Sequence, residues 1–185
     1  MKILRTEELD WIEGCRRGES RAQEWVYGEY AGKMFAVCCR YMRDRQAAED
    51  VLVTAFTRIF QMIGQFRGEG SFEGWIRRIV VNQALMELRR TRARFDEVEL
   101  SVAHDGLHSM PEDGLGHSDL LALVASMPVG YRTVFNLYAV EGYSHREIAD
   151  LLNIDEGTSK SQLSRARNFL KSKIEQEKQR MTDEK

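Results

Sequence analysis

Residues Gly142–Lys173 read GYSHREIADLLNIDEGTSKSQLSRARNFLKSK, and their punctuation describes two helices joined by a tight turn. Ser144 followed three residues later by Glu147 is a capping box, in which hydroxyl and carboxylate each satisfy an orphan amide at a helix start. Ile148, Leu151 and Leu152 then form one apolar stripe at i, i+3 and i+4. Asn153 and Asp155 supply turn and cap chemistry, with Asp155 expected as the N-cap of the second helix. In that helix Leu163, Ala166, Leu170 and Ile174 keep one face inward. Thr158, Ser159, Lys160, Ser161, Gln162, Arg165 and Arg167 are left on the outside, opposed by Glu156 alone.

A short capped helix, a turn of about three to four residues and a second helix rich in Lys, Ser, Gln and Arg form a helix-turn-helix arrangement. Such a helix fits the major groove of B-DNA. Lys and Arg donate to guanine, Gln pairs with adenine, and Ser or Thr serves a base or a phosphate. The residues alone favour that reading over a blander one, a solvated amphipathic helix in a plain bundle.

Working outward, the totals favour an all-α protein. The 185 residues hold two prolines and 43% hydrophobic residues, with no long period-two run of β-branched residues. No apolar stretch approaches the roughly 20 residues needed to span a bilayer, and MKILRTEELDW lacks the apolar core of a signal peptide. A cytoplasmic protein without membrane insertion is expected. Cys15, Cys38 and Cys39 make an odd count without CxxC spacing and read as buried free thiols. His104 and His108 have no carboxylate or thiol framework around them, so no metal site is expected. The chain shows no phosphate-binding glycine loop and no nucleophile elbow, so neither enzymatic activity nor a cofactor is expected.

The formal net charge of −2 excludes bulk attraction to nucleic acid, but its distribution is uneven. Six arginines face two glutamates between Ser71 and Arg94, and seven acids without Lys or Arg follow between Phe95 and Asp119. Local patches should bind nucleic acid while other parts repel it.

Toward the N-terminus, Glu7–Gly18 reads as a short helix weakened by Gly14 and Gly18. Ser20 is expected to cap a helix to about Tyr41, with Trp25, Val26, Tyr30, Met34, Phe35, Val37 and Cys38 inward. A third helix, Ala47–Ile63, repeats Val51, Leu52, Ala55, Phe56, Ile59 and Phe60 at helical spacing, and Glu49 and Asp50 suit its dipole. Gly64 ends it. A glycine loop, Phe66–Gly70, leads to Ser71, the expected cap of the most basic helix. There Phe72, Trp75, Ile76, Ile79, Val80 and Leu85 face inward, and Arg77, Arg78, Asn82, Arg89, Arg90, Arg92 and Arg94 face out. Asp119 is expected to cap a further helix to Met127, and Pro128 to start the next, with Tyr131, Val134, Phe135 and Tyr138 packing beneath the helix-turn-helix.

Two stretches carry a resemblance. SMPVGYRTVFNLYAVEGYSHREIADLLNIDEGTSKSQLSRAR, Ser126–Arg167, resembles region 4 of the extracytoplasmic-function (ECF) sigma factors, with its Gly-hydrophobic-Ser turn, Glu-Ile-Ala and Gly-Thr elements. AAEDVLVTAFTRIFQMIGQFRGEGSFEGWIRRIVVNQALMELRR, Ala47–Arg90, is similar to region 2 of the same family, with its Ala-Glu-Asp-Val, Phe-Arg-Gly, Ser-Phe-x-x-Trp and Asn-x-Ala elements.

The resemblance implies two small helical domains: region 2 over 1–94, an acidic linker over 95–118, region 4 over 119–178, and a frayed tail over 179–185. It implies a sigma factor that gives core RNA polymerase its promoter recognition and supports DNA melting. The alternative is a helix-turn-helix regulator that binds duplex DNA without polymerase.

Region 2 would press its third helix against the clamp coiled coil of polymerase through Glu49, Asp50, Leu52, Val53, Phe56 and Ile59. The family commonly has Gln-Glu where Val53 and Thr54 stand. Region 2 would also hold the melted minus-ten strand through Gly68, Ser71, Phe72, Arg77, Arg78 and Asn82, the last matching the family position that contacts a flipped base. Region 4 would read the minus-thirty-five duplex through Thr158, Ser159, Lys160, Ser161, Gln162, Arg165 and Arg167. The family often has Arg at Gln162, so the reading shifts toward adenine. The linker would thread toward the active centre, with Glu112–Gly116 mimicking nucleic acid. Further implied partners are the polymerase flap, promoter DNA and, in some members, an anti-sigma factor.

Overall fold

The computed structural model describes residues 6–96 and 123–183. The chain divides into two compact units, Met1–Leu100 and Ser101–Lys185. Every regular element among the described residues is helical.

The first unit is built from α1 (Thr6–Arg16), α2 (Ser20–Tyr41), α3 (Arg45–Met62) and α4 (Phe72–Asp96). Gly18, at φ +76°, ends α1 in the left-handed conformation that glycine adopts without penalty. Gly14 does more than weaken the helix: a Cβ there would stand 2.7 Å from Ala22 Cβ, so the glycine lets α1 and α2 approach closely. Glu19, not Ser20, is the N-cap of α2, in extended backbone and without a side-chain cap bond. Its carbonyl accepts from the amides of Ala22 and Gln23, which makes Ser20 the first helical residue.

Inward from α2 point Ala22, Val26, Tyr30, Met34, Val37, Cys38 and Tyr41. Trp25 and Phe35 are half-buried flankers: Trp25 stacks on Trp11 at 5.3 Å, and Phe35 lies 5.3 Å beneath the Arg45 guanidinium. α3 begins two residues before its expected start because Asp44 caps it, accepting from the Ala47 amide at 2.8 Å. A 3-10 turn, Ile63–Gln65, follows α3, and Gly64 lies inside it.

α4 starts where expected, with Ser71 Oγ accepting from the Gly74 amide at 3.0 Å. It continues through Phe95 and Asp96, the first two residues assigned to the linker. The remainder of the linker, with His104, His108 and Glu112–Gly116, lies outside the described residues, as does Asp119. Phe72, Ile76, Val80, Val81, Ala84 and Leu85 of α4 are buried. Burying a side chain the size of Phe72 contributes about 1.5–3 kcal/mol.

In the second unit residues 123–125 are helical, and Pro128 is the N-cap of α5 (Val129–Phe135). A π-helical turn, Asn136–Val140, prolongs α5. There Glu141 N–H donates to the Asn136 carbonyl at 2.9 Å, five residues back. α6 (His145–Leu152) and α7 (Glu156–Asp183) complete the unit.

Val124, Met127, Ala166 and Leu170 form one core cluster of this unit, flanked by Leu123, Tyr131, Phe135 and Phe169; Val134, Leu137, Ile148 and Leu163 are also buried. Arg132 is unexpectedly buried, and its Nη1 donates to the Ala125 carbonyl at 2.7 Å, clamping the chain across Pro128. α7 runs to Asp183, through residues expected to fray, because Glu, Lys, Gln and Arg are good helix formers. No helix of the described residues is long and apolar enough to cross a membrane.

Candidate nucleic-acid interface

The capping box at Ser144 is present in full: Ser144 Oγ accepts from the Glu147 amide at 3.3 Å, and the Ser144 amide donates to the Glu147 carboxylate at 2.8 Å. Asn153 closes α6 in left-handed backbone at φ +52°, a conformation its short amide side chain tolerates. The Ile154 amide returns to the Ala149 carbonyl at 3.1 Å, so the turn is fixed by backbone bonds at its near side. Asp155 occupies the residue before α7, where its carbonyl accepts from the Ser159 amide at 3.0 Å.

The seven residues expected to read DNA divide sharply. Ser159 is fully buried, and its hydroxyl pairs with His145 Nδ1 at 2.9 Å, which removes it from the outer face. The reason is geometric: residues 159, 163, 166 and 170 share the inward stripe of α7, which begins one turn earlier than the apolar residues suggest. Thr158 is half-buried, and its carbonyl accepts from the exposed Ser161 hydroxyl.

Lys160 is exposed and pairs with Glu156 at 2.6 Å; this pairing holds the Glu156 carboxyl below its ordinary range. Exposed pairs of this kind contribute little to stability and yield to a competing phosphate. Arg165 is exposed, with no ion pair among the described residues. Arg167 is exposed but leans on the Tyr138 ring at 5.8 Å. Gln162 is half-buried, its amide against Gly130. Lys160, Ser161, Ser164, Arg165 and Asn168 form the outer face of α7. Ser164 and Asn168 lie outside the set expected from sequence, although a period of 3.6 counted from Ser161 reaches both.

In the first unit the loop before α4 turns on Gly68 and Gly70, at φ +77° and +94°. Phe66 and Phe72 anchor it, 5.1 Å apart, with Trp75 within 6 Å of both and Tyr30 set edge-on to Phe72. Arg16 Nη2 donates to the Phe66 carbonyl at 2.5 Å, so α1 also holds the loop.

Phe72 is wholly buried and therefore supports the loop from beneath without offering a surface. Gly68 is exposed and Ser71 half-buried, its hydroxyl spent on the helix cap. Arg78 and Asn82, one turn apart on α4, are exposed, and Arg77 is half-buried beside them. Trp75 is half-buried within the aromatic cluster, consistent with an anchor.

Leu52, Phe56 and Ile59 are buried in the core, Phe56 edge-to-face with Tyr27 at 4.7 Å, so their side chains give α3 no contact surface. The same inward stripe that reveals α3 in the sequence excludes them from its outside. Its outer face carries Asp50, Val53, Thr54 and Thr57, with Glu49 half-buried at its edge and paired to Arg45 at 2.8 Å. Val53 is 59% exposed.

Two family models match the chain in order: Sigma-70 region 2 over residues 26–94, and Sigma-70, region 4 over residues 117–170. The chain is 29% identical over 181 residues to the RNA polymerase sigma-H factor of Pseudomonas aeruginosa, covering 91% of this chain and 94% of that one. It is 28% identical to the ECF RNA polymerase sigma-E factor of Haemophilus influenzae, covering 89% and 93%. Among solved structures it is similar to the sigma factor RpoE from Bartonella quintana, in complex with the anti-sigma factor NepR, with a TM-score of 0.54 and 22% identity over 82% of this chain and 96% of that one. Both halves of the sequence therefore place this chain in the sigma-70 family, as an RNA polymerase sigma factor of the extracytoplasmic-function type.

Proposed function

We propose that the chain recognises promoters in two chemically different ways and does so only on core RNA polymerase. The second unit reads the minus-thirty-five duplex with the outer face of α7: Lys160, Ser161, Arg165 and the amide of Gln162, joined by Ser164 and Asn168. Arg165, and Lys160 on exchanging Glu156 for a phosphate, can neutralise phosphates or donate to guanine, and Gln162 suits adenine. The first unit takes the melted minus-ten strand along the loop Phe66–Ser71 and the exposed line Arg78–Asn82. Removing a base from its stack costs a few kcal/mol, which amide bonds and nearby cations must offset.

The outer face of α3, with Glu49, Asp50 and Val53, contacts the clamp coiled coil, and the second unit engages the flap. An anti-sigma factor is a further partner, by similarity to the Bartonella quintana protein. The protein acts in the cytoplasm.

The observation that carries this reading is the sorting of α7. Its apolar and hydroxyl residues Ser159, Leu163, Ala166 and Leu170 turn inward, and an unbroken polar and cationic face turns out behind a complete capping box. Run-off transcription from a promoter library with purified core enzyme tests it: discrete start sites that depend on both elements are expected. Tight binding of promoter duplex that is unchanged by core enzyme would instead indicate a stand-alone regulator.

A further inference from the structure

His145 is the first residue of α6, yet its ring is tied to both neighbouring elements. Its Nδ1 meets Ser159 Oγ at 2.9 Å, and its ring stacks on Tyr138 at 4.6 Å with 24° between planes. Tyr138 belongs to the π turn after α5, and its ring also receives the Arg167 guanidinium at 5.8 Å. One imidazole thus bridges the π turn, the start of α6 and the first turns of α7. Ser159 is wholly buried, and His145 is the one partner that the described residues offer its hydroxyl. A buried hydroxyl left unpaired is costly, so this bond selects one seating of α7 against α6.

From this geometry we infer that His145 is a positioning residue for the reading helix: through Ser159 and Tyr138 it sets the rotation of α7, and through Tyr138 the reach of Arg167. It touches no base itself. The alternative, that the ring merely fills space, is disfavoured by direction. An apolar ring of the same size would preserve the stack and strand the Ser159 hydroxyl, whereas the imidazole meets it at hydrogen-bond distance.

This inference rests on the proposed reading of duplex DNA by α7, and its test separates the two. Full-length His145→Phe, Ser159→Ala, the double variant and His145→Asn are compared in transcription with core enzyme. One template is an intact promoter; the other is pre-melted at the minus-ten element and lacks the minus-thirty-five element. Hydrogen exchange across residues 158–166 is measured in parallel.

His145→Phe should lower transcription from the intact promoter about 10-fold, and Ser159→Ala about 3-fold, because only the former leaves a buried hydroxyl unpaired. The double variant should be no worse than His145→Phe, as expected for two groups acting through one bond. His145→Asn, whose amide can reach the position of Nδ1, should recover to within about 2-fold of the parent. The pre-melted template should not distinguish the four. Exchange should quicken in His145→Phe and Ser159→Ala and return in His145→Asn.

Unchanged exchange, additive losses in the double variant, or equal losses on the pre-melted template would overturn the inference. Quickened exchange in His145→Phe and Ser159→Ala, with a parent protein indifferent to the minus-thirty-five element, would leave the seating of α7 by His145 standing and remove the proposed reading of duplex DNA.

Discussion

The side-chain amide of Gln162 rests against Gly130: a Cβ at this glycine would stand 3.1 Å from Gln162 Oε1 and 3.6 Å from its Cδ. Gly130 is the second residue of α5, so the start of one helix limits where a reading residue of another can point. Gly130→Ala should gain helix propensity, up to about 1 kcal/mol, while the flexible amide yields a few tenths of an ångström. Stability should hold or rise, and base preference should shift at one promoter position. Gln162→Ala should relax the same position at a cost of about 1–3 kcal/mol. A promoter-library selection on both variants checks this; equal losses on every sequence would mark Gln162 as a phosphate or structural residue.

Arg165 differs from Gln162 in having no constraint of that kind. Arg165→Ala should weaken promoter binding of the polymerase holoenzyme on all sequences alike, and should reduce the salt dependence of binding by about one counterion. Affinity measured from 50 to 200 mM salt reads both. A loss confined to one base position would make Arg165 a base reader.

Gly14→Ala probes the first unit. The added methyl would meet Ala22 Cβ at 2.7 Å, closer than two carbons can approach, so α1 and α2 must shift apart. A loss of about 1–3 kcal/mol is expected from overpacking, despite the better helix propensity of alanine. Urea unfolding of the full chain, followed through tryptophan fluorescence, measures it selectively because Trp11, Trp25 and Trp75 all lie in this unit.

The thiol of Cys15 is pushed up from its ordinary 9.0 to about 11, first by burial and then by the nearby Glu19 carboxylate. Below about pH 9 the thiol is protonated in both folded and unfolded chains, and its contribution is fully present. Between about pH 9 and 11 the unfolded chain ionises first, so stability falls. Denaturant unfolding from pH 8 to 11 should show a steeper decline for the parent than for Cys15→Ala. Parallel declines would place the thiol in contact with water.

Much of this was legible in the chain because helical periodicity and capping residues are local signals. The Ser144–Glu147 box, the Ser71 cap and the apolar rows of α2 to α4 follow from spacing alone. The failures come from features that spacing does not encode. Ser159 reads as an outward hydroxyl until the inward stripe of α7 is seen to start there, paired to a histidine 14 residues away. Leu52, Phe56 and Ile59 were assigned to an interface by the same pattern that buries them. Asp44 does not read as a cap because Arg45 and Gln46 separate it from the first apolar residue, and Arg132 does not read as buried because buried cations are rare. The π turn leaves no compositional trace at all.

That turn has a consequence for how the chain tolerates changes of length. Asn136–Val140 holds one residue more than an α-helical turn would, and the chain leaves it at Gly142, in left-handed backbone at φ +79°. A chain shorter by one residue here would close into ordinary helix and leave the turn at a different angle. The ring of His145 would then swing away from Tyr138. A single-codon deletion of the kind most surface turns absorb should therefore cost this one its histidine contacts, unless a second length change before Ser144 compensates.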